Sequence, residues 1–131
     1  MTTGFMSEEH SPFHDFLQLD AKKTGEGEVE VRIPFRPEFR RGADSDMIHG
    51  GVISTLIDIA GDFAVAAIVG GGVPTIDLRV DYLRPAIGTA LLAKAKAVKV
   101  GRTVAVADVE VFDDAGKLVA VGRGAYSGKV G

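Results

Sequence analysis

A lone carboxylate sits in the middle of the longest apolar run of this chain. The run opens His49-Gly50-Gly51-Val52-Ile53-Ser54-Thr55-Leu56-Ile57-Asp58-Ile59-Ala60 and continues through Phe63-Ala64-Val65-Ala66-Ala67-Ile68-Val69. Its polar interruptions are Ser54, Thr55, Asp58 and Asp62. A helix apolar almost all round belongs inside a protein. An ionised group there is costly unless it is paired, hydrogen-bonded or used. Ser54, Asp58 and Asp62 are spaced i, i+4, i+8, so a helix carries them as one polar stripe. Two acids on one face also raise each other's proton affinity. Asp58 is therefore the first candidate for a general base or nucleophile, facing a cleft or an interface. A buried ion pair with an arginine such as Arg79 is the structural alternative. Asp62 is as readily a solvated neighbour as a second functional acid.

His49-Gly50-Gly51 precedes this stripe. Glycines at a loop-to-helix junction serve backbone freedom. They also bare N–H groups at the positive end of a helix, where an anion or developing oxyanion is stabilised. His49 is a secondary candidate, suited to orienting the loop, touching substrate or capping the helix. Asp58 follows Gly50 by eight positions, roughly 12 Å along a helix axis. Reacting groups must approach to about 3 Å, so one carbonyl cannot meet both groups of one chain. If both act on one substrate, two helices must run antiparallel across a two-fold axis, giving a dimer with two shared sites.

The bulk numbers narrow the classes. With 131 residues, 46% hydrophobic and 25% charged, the chain suits one globular domain with a real core. The formal net charge of -3 and the lack of a basic block disfavour nucleic acid as a partner. There is no cysteine, so disulfides, thiolate metal sites and a cysteine nucleophile drop out. The three histidines offer no metal-ligand cluster. Residues 1–14 lack an apolar leader region. Two acids inside the apolar run argue against a membrane span. The expectation is a cytoplasmic protein with no membrane partner.

The elements that must hold these residues follow from period and punctuation. Residues 1–10 read as a flexible tail. Ser11 can cap a short helix with Pro12 at its first position. Gly25-Glu26-Gly27 reads as a turn. Residues 28–35 alternate, with Val29, Val31, Ile33 and Phe35 on one face, and 36–47 read as a loop. The helix is expected over about 51–69, ended by Gly70-Gly71-Gly72. Strands follow at 75–82, 89–100, 103–112 and 117–127. Asp113-Asp114-Ala115-Gly116 reads as a hairpin turn. Strands gathered after one buried helix predict an α+β fold, a curved antiparallel sheet wrapped around the long helix, with the last four strands as a meander.

The chain resembles the acyl-CoA thioesterases of the hotdog fold, in the phenylacetate-degradation and thioesterase-superfamily-member branch. Three motifs carry the resemblance in order: His49-Gly50-Gly51 with Leu56-Ile57-Asp58, Tyr82-Leu83-Arg84-Pro85-Ala86, and Lys99-Val100-Gly101-Arg102-Thr103. The likeness spans nearly all of the chain beyond Ser11. It implies a single hotdog domain and hydrolysis of an acyl-CoA thioester without a cofactor beyond the CoA of the substrate. It also implies a homodimer with a continuous sheet, assembled as a dimer of dimers into a homotetramer. The family's acidic residue falls on Asp58, its oxyanion-binding amide on Gly50 and its assisting hydroxyl on Thr75. His49 and Gly51 belong to the same motif. Tyr82, Leu83, Arg84, Pro85 and Ala86 would line the pantetheine and nucleotide path, and Lys99 and Arg102 would meet CoA phosphates. An asparagine that many relatives carry shortly before the motif histidine is missing; Asp44, Ser45 and Asp46 stand in that stretch. Phe13, Phe16 and Phe63 are expected to shape the acyl pocket. The resemblance leaves open whether the acyl group is aromatic or medium- to long-chain. A binding protein for acyl-CoA or small aromatics with the same cleft is the alternative function, and a dehydratase or hydratase ranks behind it.

Overall fold

Alternation in the sequence becomes two faces of one sheet. In a computed structural model that describes residues 11–131, six strands join as β1-β2-β6-β7-β8-β5. These are β1 (Asp20–Gly25), β2 (Glu28–Ile33), β5 (Thr75–Tyr82), β6 (Leu91–Val100), β7 (Val104–Phe112) and β8 (Leu118–Ser127). All neighbours are antiparallel. Val29, Val31 and Ile33 point into the core, and so do Leu91, Ala93, Ala95, Ala105, Ala107, Val109 and Val111. Glu28, Glu30, Lys94, Lys96, Asp108 and Glu110 take the alternate positions and face outward in pairs across the strands. The flexible tail expected over 1–10 lies outside the described residues.

The inner face packs on α2 (Gly50–Val69), which also touches β2, β5, β6, β7 and β8. The fold is thus the expected α+β arrangement of a sheet around one long helix. Leu56, Ile57, Phe63 and Val65 of α2 are essentially inaccessible, each contributing about 1.5–3 kcal/mol by burial. By length and composition α2 could cross a bilayer, but 56% of its apolar window is buried inside the fold. Its all-round apolarity is that of a core helix. Small residues on the sheet set the approach. At Gly122 a Cβ would fall 2.6 Å from Ile57 of the helix.

Both ends of α2 are capped as the residue types dictate. His49 is the N-cap, and Gly70 closes the helix at φ 100°, where a Cβ would be strained. The preceding α1 (Pro12–Leu17) is capped by Ser11, whose Oγ accepts from the His14 amide. The turn at 113–116 is a hairpin closed by Asp113, whose Oδ1 accepts from the amides of Ala115 and Lys117.

Three expectations need correction. Residues 36–47 are not simply a loop. A 3-10 turn (Pro37–Phe39) leads into a two-stranded ribbon of β3 (Arg40–Gly42) and β4 (Ser45–Ile48). This ribbon is too short and too polar for its period to register. The strand expected over 28–35 ends at Ile33, while β1 and β2 together fill the one or two early strands that the sequence allowed. The last four strands do not run as a meander either: β6, β7 and β8 do, but β5 pairs with β8 at the sheet edge. The connection through 83–90 carries the chain past β8 and β7 to reach β6.

Candidate active site

Asp58 sits two turns into α2, half-buried, at the edge of the apolar face. Thr75 opens β5, and its Oγ1 donates to Asp58 Oδ1 at 2.7 Å. This contact depends on a β-bulge. Thr75 pairs with Tyr126 and Asp77 with Ala125, so Ile76 is the extra residue. Strict alternation would put Thr75 on the charged face with Asp77, Arg79 and Asp81. The bulge shifts the phase by one, turns Thr75 to the helix side with Tyr126, and leaves Ile76 59% exposed. Arg79 pairs with Asp81 on the outer face at 3.4 Å, so the ion pair weighed for Asp58 does not form.

Asp58 opens onto a cleft of about 480 Å³ that includes Thr55, Ile59, Asp62, Phe63, Val73 and Pro74. Asp62 shares the cleft and also ties down the connection to β5, since its Oδ1 accepts from the Val73 amide at 3.1 Å. Ser54 donates to the Gly51 carbonyl and does not line the cleft. The helix α1 closes the far side with Phe13 and His14. The His14 ring meets Phe63 edge-on, centroids 5.5 Å apart. Burial there pushes the imidazole pKa below its ordinary value, against a weaker upward pull from Asp15. Phe16 does not line the cleft. It packs on Phe39, with the Arg36 guanidinium 4.1 Å above its ring and donating to its carbonyl. That cluster anchors α1.

The His49-Gly50-Gly51 turn is built differently from a general-base site. His49 Nδ1 accepts from the Gly51 amide at 2.8 Å, and its carbonyl accepts from Val52 at 2.9 Å. The imidazole therefore acts as a helix cap. Its ring folds over Gly51, where a Cβ would fall 3.0 Å from Nδ1. Gly50 starts the helix, so its own amide is a first-turn donor without an intrahelical acceptor. Tyr82 Oη donates to the Gly50 carbonyl at 2.8 Å. Gly50, Met47, Ile48, Ile53 and residues 82–86 line a second cavity of about 360 Å³.

The expected residues thus fall into separate groups. Asp58 and Thr75 form one, and Gly50 with Tyr82, Leu83, Arg84, Pro85 and Ala86 forms another. The two groups lie at opposite ends of β5. Lys99 near the end of β6 and Arg102 on the turn between β6 and β7 are both exposed. That turn lies at the Thr75 end of the sheet, since Thr103 accepts from Gly128 and Pro74 from Ser127. Lys99 and Arg102 are not lining residues of either cavity. The same holds for Asp44, Ser45 and Asp46, the candidates for the missing asparagine. Among the described residues no three His, Cys, Asp or Glu side chains gather as a metal-binding group.

Sequence reasoning passed over two features of the site, His14 and Tyr126. Tyr126 is fully buried, and its Oη donates to the Asp58 main-chain carbonyl at 3.0 Å. A tyrosine in an alternating strand carries no sign of such a contact.

Comparison with known proteins agrees with this architecture. Residues 46–120 match the family model of the thioesterase superfamily. A solved structure described as belonging to the thioesterase superfamily superposes with a TM-score of 0.85 at 38% identity, covering 89% of each chain. The PaaI protein of the Escherichia coli phenylacetic acid degradation operon superposes at 0.82 with 26% identity, over 95% of this chain and 88% of that one. The medium/long-chain acyl-CoA thioesterase YigI of Escherichia coli is 28% identical over 94% of this chain and 89% of its own. The motif spacing, the sheet wrapped on its helix and these likenesses converge: the chain belongs to the thioesterase superfamily and is a thioester hydrolase.

Proposed function

We propose that the chain hydrolyses acyl-CoA thioesters, of an aromatic or a medium- to long-chain acid, at sites shared by two copies. The observation that carries this reading is the placement of the two groups along β5. Asp58 bonds to Thr75 at the start of this edge strand, and Gly50 bonds to Tyr82 at its end. Antiparallel pairing of β5 with the same strand of a second copy sets the start of one beside the end of the other. Each Asp58 cleft then meets a Gly50 cavity from the partner. The edge suits such pairing: β5 has β8 on one side, and Ile76, Tyr82, Leu83 and Ile87 are all more than half exposed. In the same pairing Lys99 and Arg102 of one copy approach residues 82–86 of the other, where CoA phosphates would lie. YigI supports acyl-CoA as the substrate class by its name.

In this reading the thioester oxygen accepts from the Gly50 amide at the helix N-terminus, where negative charge is stabilised. Thr75 engages Asp58 Oδ1, so Oδ2 takes the proton of an attacking water. The tetrahedral intermediate collapses, the C–S bond breaks, and the CoA thiolate recovers that proton as the acid leaves. Direct attack by Asp58 through an anhydride is the alternative route. Asp58→Asn keeps the shape and removes the base. It is expected to lower turnover by about 10²–10⁴-fold in a free-thiol release assay over a panel of acyl-CoAs. Turnover near that of the unaltered protein would overturn the assignment.

A further inference from the structure

A buried phenol behind the carboxylate has a socket made for it. Tyr126 Oη lies 3.0 Å from the Asp58 carbonyl oxygen. A Cβ on Gly61 of α2 would fall 2.2 Å from this hydroxyl, and one on Gly124 of β8 would fall 2.3 Å from it. Both positions are closed to any larger residue while the tyrosine stays. A glycine inside a helix is otherwise unfavourable by about 1 kcal/mol relative to alanine, so Gly61 has a packing reason. The hydroxyl remains a donor at any ordinary pH. Its pKa is raised by burial first, and by the charges of Asp58 and Asp62 beyond that. A carbonyl oxygen has two lone pairs, so it accepts this bond alongside the helical one.

The contact ties three elements at one point. Tyr126 pairs with Thr75 across β8 and β5, Thr75 holds the Asp58 carboxylate, and Tyr126 holds the main chain of the same residue. Resting on the reading of Asp58 as the base, we propose that Tyr126 is a positioning residue: its hydroxyl sets the depth and rotation of α2 at residue 58, so that the carboxylate reaches Thr75 and the attacking water.

The test is Tyr126→Phe in the full chain, assayed by thiol release with an acyl-CoA that the unaltered protein hydrolyses. Small displacements of catalytic groups cost up to about a hundred-fold. The expected result is a kcat lower by roughly ten- to a hundred-fold with KM within about two-fold. The companion variant Tyr126→Phe/Gly61→Ala places a methyl where the hydroxyl was. The methyl still lies 3.0 Å from Cζ and 3.2 Å from Cε2, so the ring must give by a few tenths of an ångström. The expected result is a melting temperature above that of Gly61→Ala alone, with kcat no higher than in Tyr126→Phe. Recovery of kcat in the double variant would overturn the proposal, since packing alone would then explain the effect. So would a kcat within two-fold of the unaltered value in Tyr126→Phe, provided Asp58→Asn is inactive; the reading of Asp58 would survive that result. Full turnover in Asp58→Asn would overturn both.

Discussion

Gly61→Ala should destabilise the protein although alanine is the better helix former. A methyl at this position would lie 2.2 Å from Tyr126 Oη, 3.0 Å from Cζ and 3.2 Å from Cε2. The ring is fully buried between α2 and β8, so it has no solvent into which to swing. Propensity favours alanine by about 1 kcal/mol. Overpacking a full core costs about 1–3 kcal/mol, and a buried hydroxyl driven off its acceptor costs about 1–3 kcal/mol more. The balance is a loss of about 3 kcal/mol. Unfolding entropy of about 2.1 cal/mol/K per residue, over 131 residues, converts this to a melting temperature roughly 10 °C lower. Differential scanning calorimetry at fixed protein concentration reads the shift. Adding Tyr126→Phe removes the 2.2 Å contact and should return part of the shift, since the contacts to Cζ and Cε2 remain. A Gly61→Ala protein that melts at or above the unaltered one would refute the packing argument, since the helix would then have accepted the methyl without conflict.

Gly50→Pro removes the amide N–H, while its Cβ comes within 3.3 Å of the Tyr82 ring. Proline is favoured at the first helical position, and His49 at φ -60° and ψ 133° is already extended as the residue before a proline must be. The protein should fold with its helix content unchanged by circular dichroism, yet lose about 10²–10³-fold in turnover, as on removal of an oxyanion donor. Mixing unfolded Gly50→Pro and Asp58→Asn chains and refolding them together should restore about a quarter of full activity, because each mixed dimer holds one site with both groups intact; no recovery would exclude the shared site. His14 gives a pH signature. Its folded pKa lies below the ordinary 6.5 because of burial, so the unfolded chain takes up the proton first. Stability is fully present above that value and falls as pH drops through it. The urea midpoint should therefore decline from pH 8 to pH 5 more steeply than in His14→Gln; equal slopes would show that α1 does not bury the ring in solution.

Much of this molecule was legible in one dimension. The apolar run with Gly70 behind it marked α2, because a helix apolar on every side has only a core to occupy. Period-two patterns marked β2, β6, β7 and β8 through their inward Val and Ala. Asp58 stood out because a carboxylate amid Leu56, Ile57 and Ile59 needs a physical reason. The distance from Gly50 to Asp58 already required two copies if both serve one carbonyl. Order along the chain does not state order in a sheet, and β5 went to the edge beside β8 rather than beside β6. The ribbon at 40–48 was hidden because its strands are too short to show a period.

The sequence by itself determined the long helix and its ends, the longer strands and the candidate carboxylate, since these rest on local preference and on the cost of burying charge. Tertiary structure alone decided which groups meet. The bulge at Ile76 turns Thr75 from the charged face to Asp58, a phase change that no periodic pattern carries. Tyr126 reaches the Asp58 carbonyl from 68 positions away, through space left by Gly61 and Gly124. Contacts of that kind depend on distances between elements, and those exist only once the sheet has closed on the helix.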